Sequence, residues 1–230
     1  MTSGTPANSG LARRVEVAQV AVQRTALVAS TGRVGAAHGW LLLHGIHQRA
    51  EEFVAPWARI DDGDQRRVLA PEGLSRTILD FKTDKAGACW TTIPDRAIDL
   101  PDAFAWLDTC ATQLDAECGP GKRVLLGFSQ GGIIAARWAV ARRRVWDAVI
   151  LWGSAVPNGV DPKELAARSR DGKLHLVLGE RDEFASDERR AASRAALEAS
   201  GVAVTLTTFA GGHRLDDATL AQIATVIEGL

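Results

Sequence analysis

A three-layer α/β fold, with a mostly parallel central sheet and helices on both of its faces, is what the sequence predicts. Three observations carry the prediction. Short, wholly apolar runs recur along the chain, as strands buried on both faces require. Stretches with helical character fill the intervals between them. The chain has 230 residues, 46% of them hydrophobic, enough for one domain with a large core.

The elements follow in order. Residues 1–10 are small and polar and read as a disordered tail, with residues 11–230 as a single domain. Val15 to Val22 and Ala26 to Ala29 read as two early strands joined by a polar turn. Trp40 to Leu43 is a fully apolar strand, and Val68 to Ala70 is another, stopped by Pro71. Pro101 can open a helix in its first turn, after which Phe104, Leu107, Ala111, Leu114 and Cys118 share one face. Val124 to Gly127 is a strand that hands over to a helical stretch from Ile133 to Val140. Ala148 to Trp152 and Lys173 to Leu178 are strands; between them Asp161 to Ala167 forms one short helix, Asp161 its cap and Pro162 its first residue. Asp187 to Ser200 reads as an Ala-rich helix, Val202 to Phe209 as a strand and Asp217 to Leu230 as the last helix.

Composition narrows the function. A formal net charge of −1 provides no global field for nucleic acid or an anionic membrane, so neither is an expected partner. The cluster Arg142 to Arg144 reads as the polar end of a helix. Three cysteines, Cys89, Cys110 and Cys118, lack scaffold-like spacing and suit a reducing compartment. With no apolar core of a secretory signal and no membrane-length run, a soluble cytoplasmic protein is expected, as monomer or homodimer. No cluster of metal ligands is apparent, and no cofactor is expected.

The chemistry centres on Gly127-Phe128-Ser129-Gln130-Gly131. Gly-x-Ser-x-Gly between a strand and a helix is a nucleophile elbow: a tight turn lifts the serine oxygen above the sheet, and the helix N-terminus favours negative charge there. The competing reading is a glycine-rich turn with an incidental serine. A serine hydroxyl needs a base, and the chain order of such sites is serine, acid, histidine. His38, His44 and His47 precede the serine, and His175 lies inside a strand. His213, in Ala210-Gly211-Gly212-His213-Arg214 after the last strand, fits the order. Asp182, in the turn after Leu176 to Leu178, is the chosen acid, with Glu180 and Glu183 as rivals. The oxyanion donors are the amide of Gln130 and, from the loop Leu43-His44-Gly45-Ile46-His47, the amide of Ile46. His44 then reads as structural.

Together these residues resemble the α/β-hydrolase superfamily, and within it the carboxylesterase/phospholipase family that includes acyl-protein thioesterases and small bacterial esterases. The resemblance spans most of residues 38 to 216 and rests on LLLHG, VLAPEG, GFSQGG, LGERD and GGH, in that order. It implies a cofactor-free hydrolase of a small-molecule ester or thioester, with Ser129, Asp182 and His213 as triad and Ile46 and Gln130 as oxyanion donors. Where the family has a glycine two residues after its His-Gly pair, this chain has His47. Either the position needs φ > 0, which histidine tolerates at some cost, or His47 sets an imidazole at the mouth of the site.

The segment from Pro71 to Pro94 is long for a connection, as functional loops are. It carries Trp90, which resembles a tryptophan beside the acyl pocket of similar proteins. Trp90 therefore either walls the site or anchors the loop to the core. Cys89 reads as a small buried residue. In the superfamily a lid or cap is commonly inserted between the strand after the nucleophile helix and the strand that bears the acid. Here Gly153 to Gly172 leaves room for no cap domain, so an open cleft is expected, walled by the His47 loop, the Trp90 loop and the turn around Phe184. A different acyl-transfer or C–C bond hydrolase on the same triad, or a non-catalytic protein of the same fold that binds a small ligand, are the competing functions.

Overall fold

The apolar runs pair into one sheet in the computed structural model of the chain, which describes residues 15–60, 65–184 and 187–229. Among these, the strands are β1 (Val28–Thr31), β2 (His38–Leu43), β3 (Arg66–Pro71), β4 (Ser75–Asp80), β5 (Lys85–Cys89), β6 (Arg123–Phe128), β7 (Ala148–Trp152), β8 (Leu174–Gly179) and β9 (Val204–Phe209). The helices are α1 (Ala50–Ile60), α2 (Arg96–Glu117), α3 (Gln130–Arg142), α4 (Pro162–Ala166), α5 (Asp187–Ser200) and α6 (Asp217–Glu228). Seven strands form the central sheet in the order β1-β3-β2-β6-β7-β8-β9, and only β1 runs antiparallel to its neighbour. The sheet is mostly parallel with helices on both faces, as its continuous apolar strands require.

Alternation along each strand sorts the core into two halves. Leu41, Leu43, Leu125, Val149 and Leu151 face α2, α3 and α4, with Leu107, Leu114, Trp138 and Leu165 packed against them. Trp40, Leu42, Val124, Leu126, Ile150 and Trp152 face the other way, onto Phe53 and Trp57 of α1 and Leu220 of α6. The period of 2 in the strands produces this split. The Arg142 to Arg144 cluster spends its charge locally: Arg142 pairs with Asp108 of α2 at 2.9 Å and Arg144 with Asp115 at 2.8 Å.

Four elements differ from the sequence reading. Residues 15–22 form no strand, and Val15, Val17, Val20 and Val22 are exposed. Their alternation imitates a strand, but no described element covers them, so it buries nothing. Helix α2 begins at Arg96, not at Pro101, because the Asp99 carboxylate accepts the Thr92 amide at 2.7 Å and so fixes an earlier first turn. Pro71 to Pro94 is not a plain loop: it contains the antiparallel hairpin β4–β5, whose turn is held by Asp80 accepting the Lys82 amide at 2.8 Å. Helix α1 was not read from the sequence at all; Pro56 inside it masks its pattern.

Between β7 and β8 lies α4 alone, capped by the Asp161 carboxylate on the Lys163 amide at 2.9 Å. No cap domain is inserted there. The expected tail, residues 1–10, lies outside the described residues.

Candidate active site

Ser129 sits at the junction of β6 and α3 with φ 53° and ψ −119°, a left-handed φ that a non-glycine residue adopts only where its surroundings impose it. The surroundings here are tight. A Cβ on Gly127 would strike the Gly131 carbonyl, and one on Gly131 would strike the Leu43 carbonyl of β2. The Ser129 amide donates to the Trp152 carbonyl at the end of β7, at 2.9 Å, which ties the turn to the sheet. The N-terminus of α3 starts at the next residue, so unsatisfied amides and the positive end of the helix gather at the serine.

The loop after β9 carries His213 over the same end of the sheet. Its Nδ1 lies 2.8 Å from Oδ2 of Asp182, a nearly buried carboxylate in the turn after β8. Oδ1 of Asp182 accepts the Phe184 amide at 2.9 Å, which orients the carboxylate. A carboxylate can only accept from the ring, so Nδ1 carries the proton and Nε2 is the basic nitrogen. The ring is also held by packing, with Phe128 at 4.8 Å and Phe184 edge-on at 4.7 Å between centroids. Of the rival acids, Glu183 meets the His213 backbone amide at 3.4 Å, and Glu180 is exposed on the turn. Ser129 and His213 line one cleft of about 1070 Å³, but no hydrogen bond joins the Ser129 hydroxyl to the imidazole in this state. Such bonds commonly tighten only with substrate bound.

Ile46, half exposed, lines the cleft on the loop after β2, and its amide has no partner among the described residues. The loop is fixed by one bond within itself and two to Ala88 of β5. Gly45 donates to the Gln48 side chain at 2.7 Å, His47 donates to the Ala88 carbonyl at 2.7 Å, and Ala88 donates back to the Gln48 carbonyl at 3.2 Å. Strand β5 of the hairpin therefore braces this loop. His47 has φ 65°, so the position does demand the left-handed region, and His47 is exposed outside the cleft lining.

His44 is fully buried below the loop. Its Nδ1 donates to the Gly45 carbonyl at 2.7 Å and its Nε2 accepts the Gly73 amide at 2.9 Å. Both ring nitrogens are committed in the neutral form, and burial pushes its pKa down.

Trp90 does not wall the cleft. It is fully buried, donates its indole N–H to the His44 carbonyl at 2.8 Å, and packs its ring at 5.0 Å from that imidazole. Anchoring was the alternative reading, and burial decides for it. Phe184, largely exposed, does line the cleft beside His213. Cys89 is buried.

Three contributors went unread in the sequence. The Gln130 side chain clamps the hairpin's end, accepting the Trp90 amide at 3.0 Å and donating to the Thr91 carbonyl at 2.9 Å. Glu72, buried in the segment VLAPEG, accepts from Arg49 at 2.7 Å, Arg76 at 2.9 Å and the Ala50 amide at 3.3 Å. Burial opposes its ionisation, but the bonds from Arg49, Arg76 and Ala50 together outweigh that and hold its pKa below the usual value. The third contributor is a row of apolar side chains from β8, β9 and α5 that extends the cleft, Leu176, Leu197 and Leu206 among them. Their apolar character could not be told from ordinary core residues in the sequence.

No group of histidine, cysteine and acidic residues among the described residues could hold a metal ion, and none of their helices is long and apolar enough to cross a membrane.

A serine in a tight turn between the parallel strand β6 and helix α3, with an acid after β8 and a histidine after β9, is the layout of the α/β-hydrolase fold, and the chain has that fold. Its solved neighbours agree. Acyl-protein thioesterase 2 of Zea mays is 16% identical, with a TM-score of 0.67 over 89% of this chain and all of the other. Esterase PE8 is 20% identical, with a TM-score of 0.64 over 89% of this chain and all of the other. A protein of unknown function from Agrobacterium tumefaciens is 22% identical, with a TM-score of 0.60 over 87% and 96% of the two chains. No protein-family model matches the chain, and no curated protein sequence does.

Proposed function

We propose that the chain is a serine hydrolase that cleaves a carboxylic ester or thioester through Ser129, His213 and Asp182 by way of an acyl-enzyme. The observation that carries this reading is the 2.8 Å contact between Asp182 and the His213 ring, in the same cleft as a serine held at φ 53°. That the solved neighbours include an esterase and a thioesterase supports it.

The basic Nε2 of His213 takes the Ser129 proton as Oγ attacks the carbonyl carbon. Asp182 stabilises the imidazolium without taking its proton. The amides of Ile46 and Gln130 donate to the oxyanion, and the N-terminus of α3 adds its partial positive charge. As the tetrahedral intermediate collapses, His213 returns the proton to the departing oxygen or sulfur and the carbon–leaving-group bond breaks. Water repeats the sequence on the acyl-enzyme, releasing the acid and restoring Ser129. No step needs a cofactor. The near-neutral formal charge supports a small-molecule substrate over a polyanion.

A panel of esters, thioesters and amides tests the reading. Purified protein is expected to turn over esters or thioesters, and Ser129→Ala to lose about a thousandfold or more. Equal turnover by the variant would overturn it.

A further inference from the structure

The cleft at Ser129 continues as an apolar groove between α5 and the β8–β9 edge of the sheet. Register shows how it is built. Leu176 pairs with Leu206 and Leu178 with Thr208, so these side chains share the sheet face that looks toward α5. Val204 extends the same face, two residues before Leu206. Leu197 of α5 closes the opposite side, flanked by the polar Ser193, Arg194 and Glu198. Val204 and Leu206 remain 37% and 48% exposed although a helix stands over their face. Apolar side chains that the described residues leave exposed beside a candidate nucleophile are what an apolar ligand would cover.

A second, polar recess of about 540 Å³ borders the same histidine. Glu52 and Arg59 of α1 line it with Arg214 and Asp217, and Gln48 and His213 belong to both spaces. Arg59 and Asp217 pair across it at 2.9 Å and are both solvent-exposed. The two spaces thus meet at the imidazole and differ in character.

We propose that the α5–β9 groove holds the acyl chain of the substrate, a straight chain of medium length, and that the polar recess holds a polar leaving group. The assignment rests on the serine-hydrolase reading above. Direction follows from proton transfer: His213 protonates the leaving atom, so the leaving group departs along the imidazole, where the recess opens. The acyl chain then takes the remaining path, along Leu178, Leu176 and Leu206 to Val204. From Thr208 to Val204 the strand advances about 13 Å. An all-trans chain advances about 1.3 Å per carbon, so the groove accommodates about ten carbons.

The test is a series of p-nitrophenyl esters from acetate to hexadecanoate, each below its solubility limit, with the full chain. Each buried methylene strengthens binding, so kcat/KM is expected to rise from acetate by at least about tenfold, peak near octanoate or decanoate, and fall beyond dodecanoate. Leu206→Trp fills the middle of the groove and is expected to move the optimum to butyrate or shorter. Val204→Phe blocks only its far end and is expected to move it to about hexanoate. A wild-type optimum at acetate, or variants that keep the wild-type optimum, would overturn the acyl assignment. If Leu206→Trp does not fold, the wild-type profile and Val204→Phe still decide. The two readings fail separately: a chain that takes a fluorophosphonate at Ser129 yet prefers acetate sinks this proposal alone, whereas one that neither cleaves the series nor takes the probe sinks the serine-hydrolase reading.

Discussion

The indole N–H of Trp90 donates to the carbonyl of His44 at 2.8 Å, and through that bond the hairpin carries the loop that presents the Ile46 amide. Trp90→Phe keeps an aromatic ring in the same place but removes the donor, leaving a buried carbonyl short of a partner. The expected outcome is a kcat about tenfold lower with KM little changed, because the loop loses its alignment while the groove is untouched. Steady-state kinetics check this. A KM effect alone would mean that Trp90 contacts substrate after all.

Glu72 predicts a pH dependence of stability. Its folded-state pKa lies below the ordinary 4.5, through its bonds to Arg49, Arg76 and Ala50. A depressed carboxylate contributes its stability in full above about the unfolded value and loses it as pH falls through the folded one. Glu72→Gln is therefore expected to cost about 2 kcal/mol at neutral pH and to converge on the wild type in acid. Urea unfolding of both proteins from neutral pH downward measures the difference.

Asp182→Asn and His213→Ala should each lower kcat by about three to four orders of magnitude, since the proposed triad would act as a unit. Glu180→Gln and Glu183→Gln should change it by less than about threefold, because neither carboxylate bonds the His213 ring in the geometry described. A crippled Glu183→Gln would move the acid's role to that residue.

Only α4 lies between β7 and β8, and among the described residues the cleft reaches Ser129 without an element closing over it. Rates on a soluble ester should rise to saturation without a jump where the substrate begins to form an emulsion. Rate measured across the solubility limit shows whether they do.

Much of this was legible in the sequence, and for identifiable reasons. Strands such as Ala148 to Trp152 are buried on both faces, so an uninterrupted apolar run marks them, and the glycines around Ser129 answer to close backbone approach, which leaves a mark in the sequence. What escaped depends on partners distant along the chain. Whether Val15 to Val22 pairs as a strand is settled by what covers it, not by its alternation. Strand β4 is largely exposed and polar, so no apolar run announces it. Trp90 reads the same as wall or anchor until its neighbour His44 is known, and nothing in the sequence marks Glu72 as the acid on which Arg49 and Arg76 converge. The groove residues Leu176 and Leu206 are apolar on a strand whether or not a helix packs down on them.

The central claim is that Ser129 is a nucleophile activated from its own cleft. Intact-mass spectrometry after treatment with a fluorophosphonate tests it most directly. The expected result is one covalent adduct per chain on the native protein and none on Ser129→Ala. Equal labelling of both proteins, or none on the native one, would contradict the account.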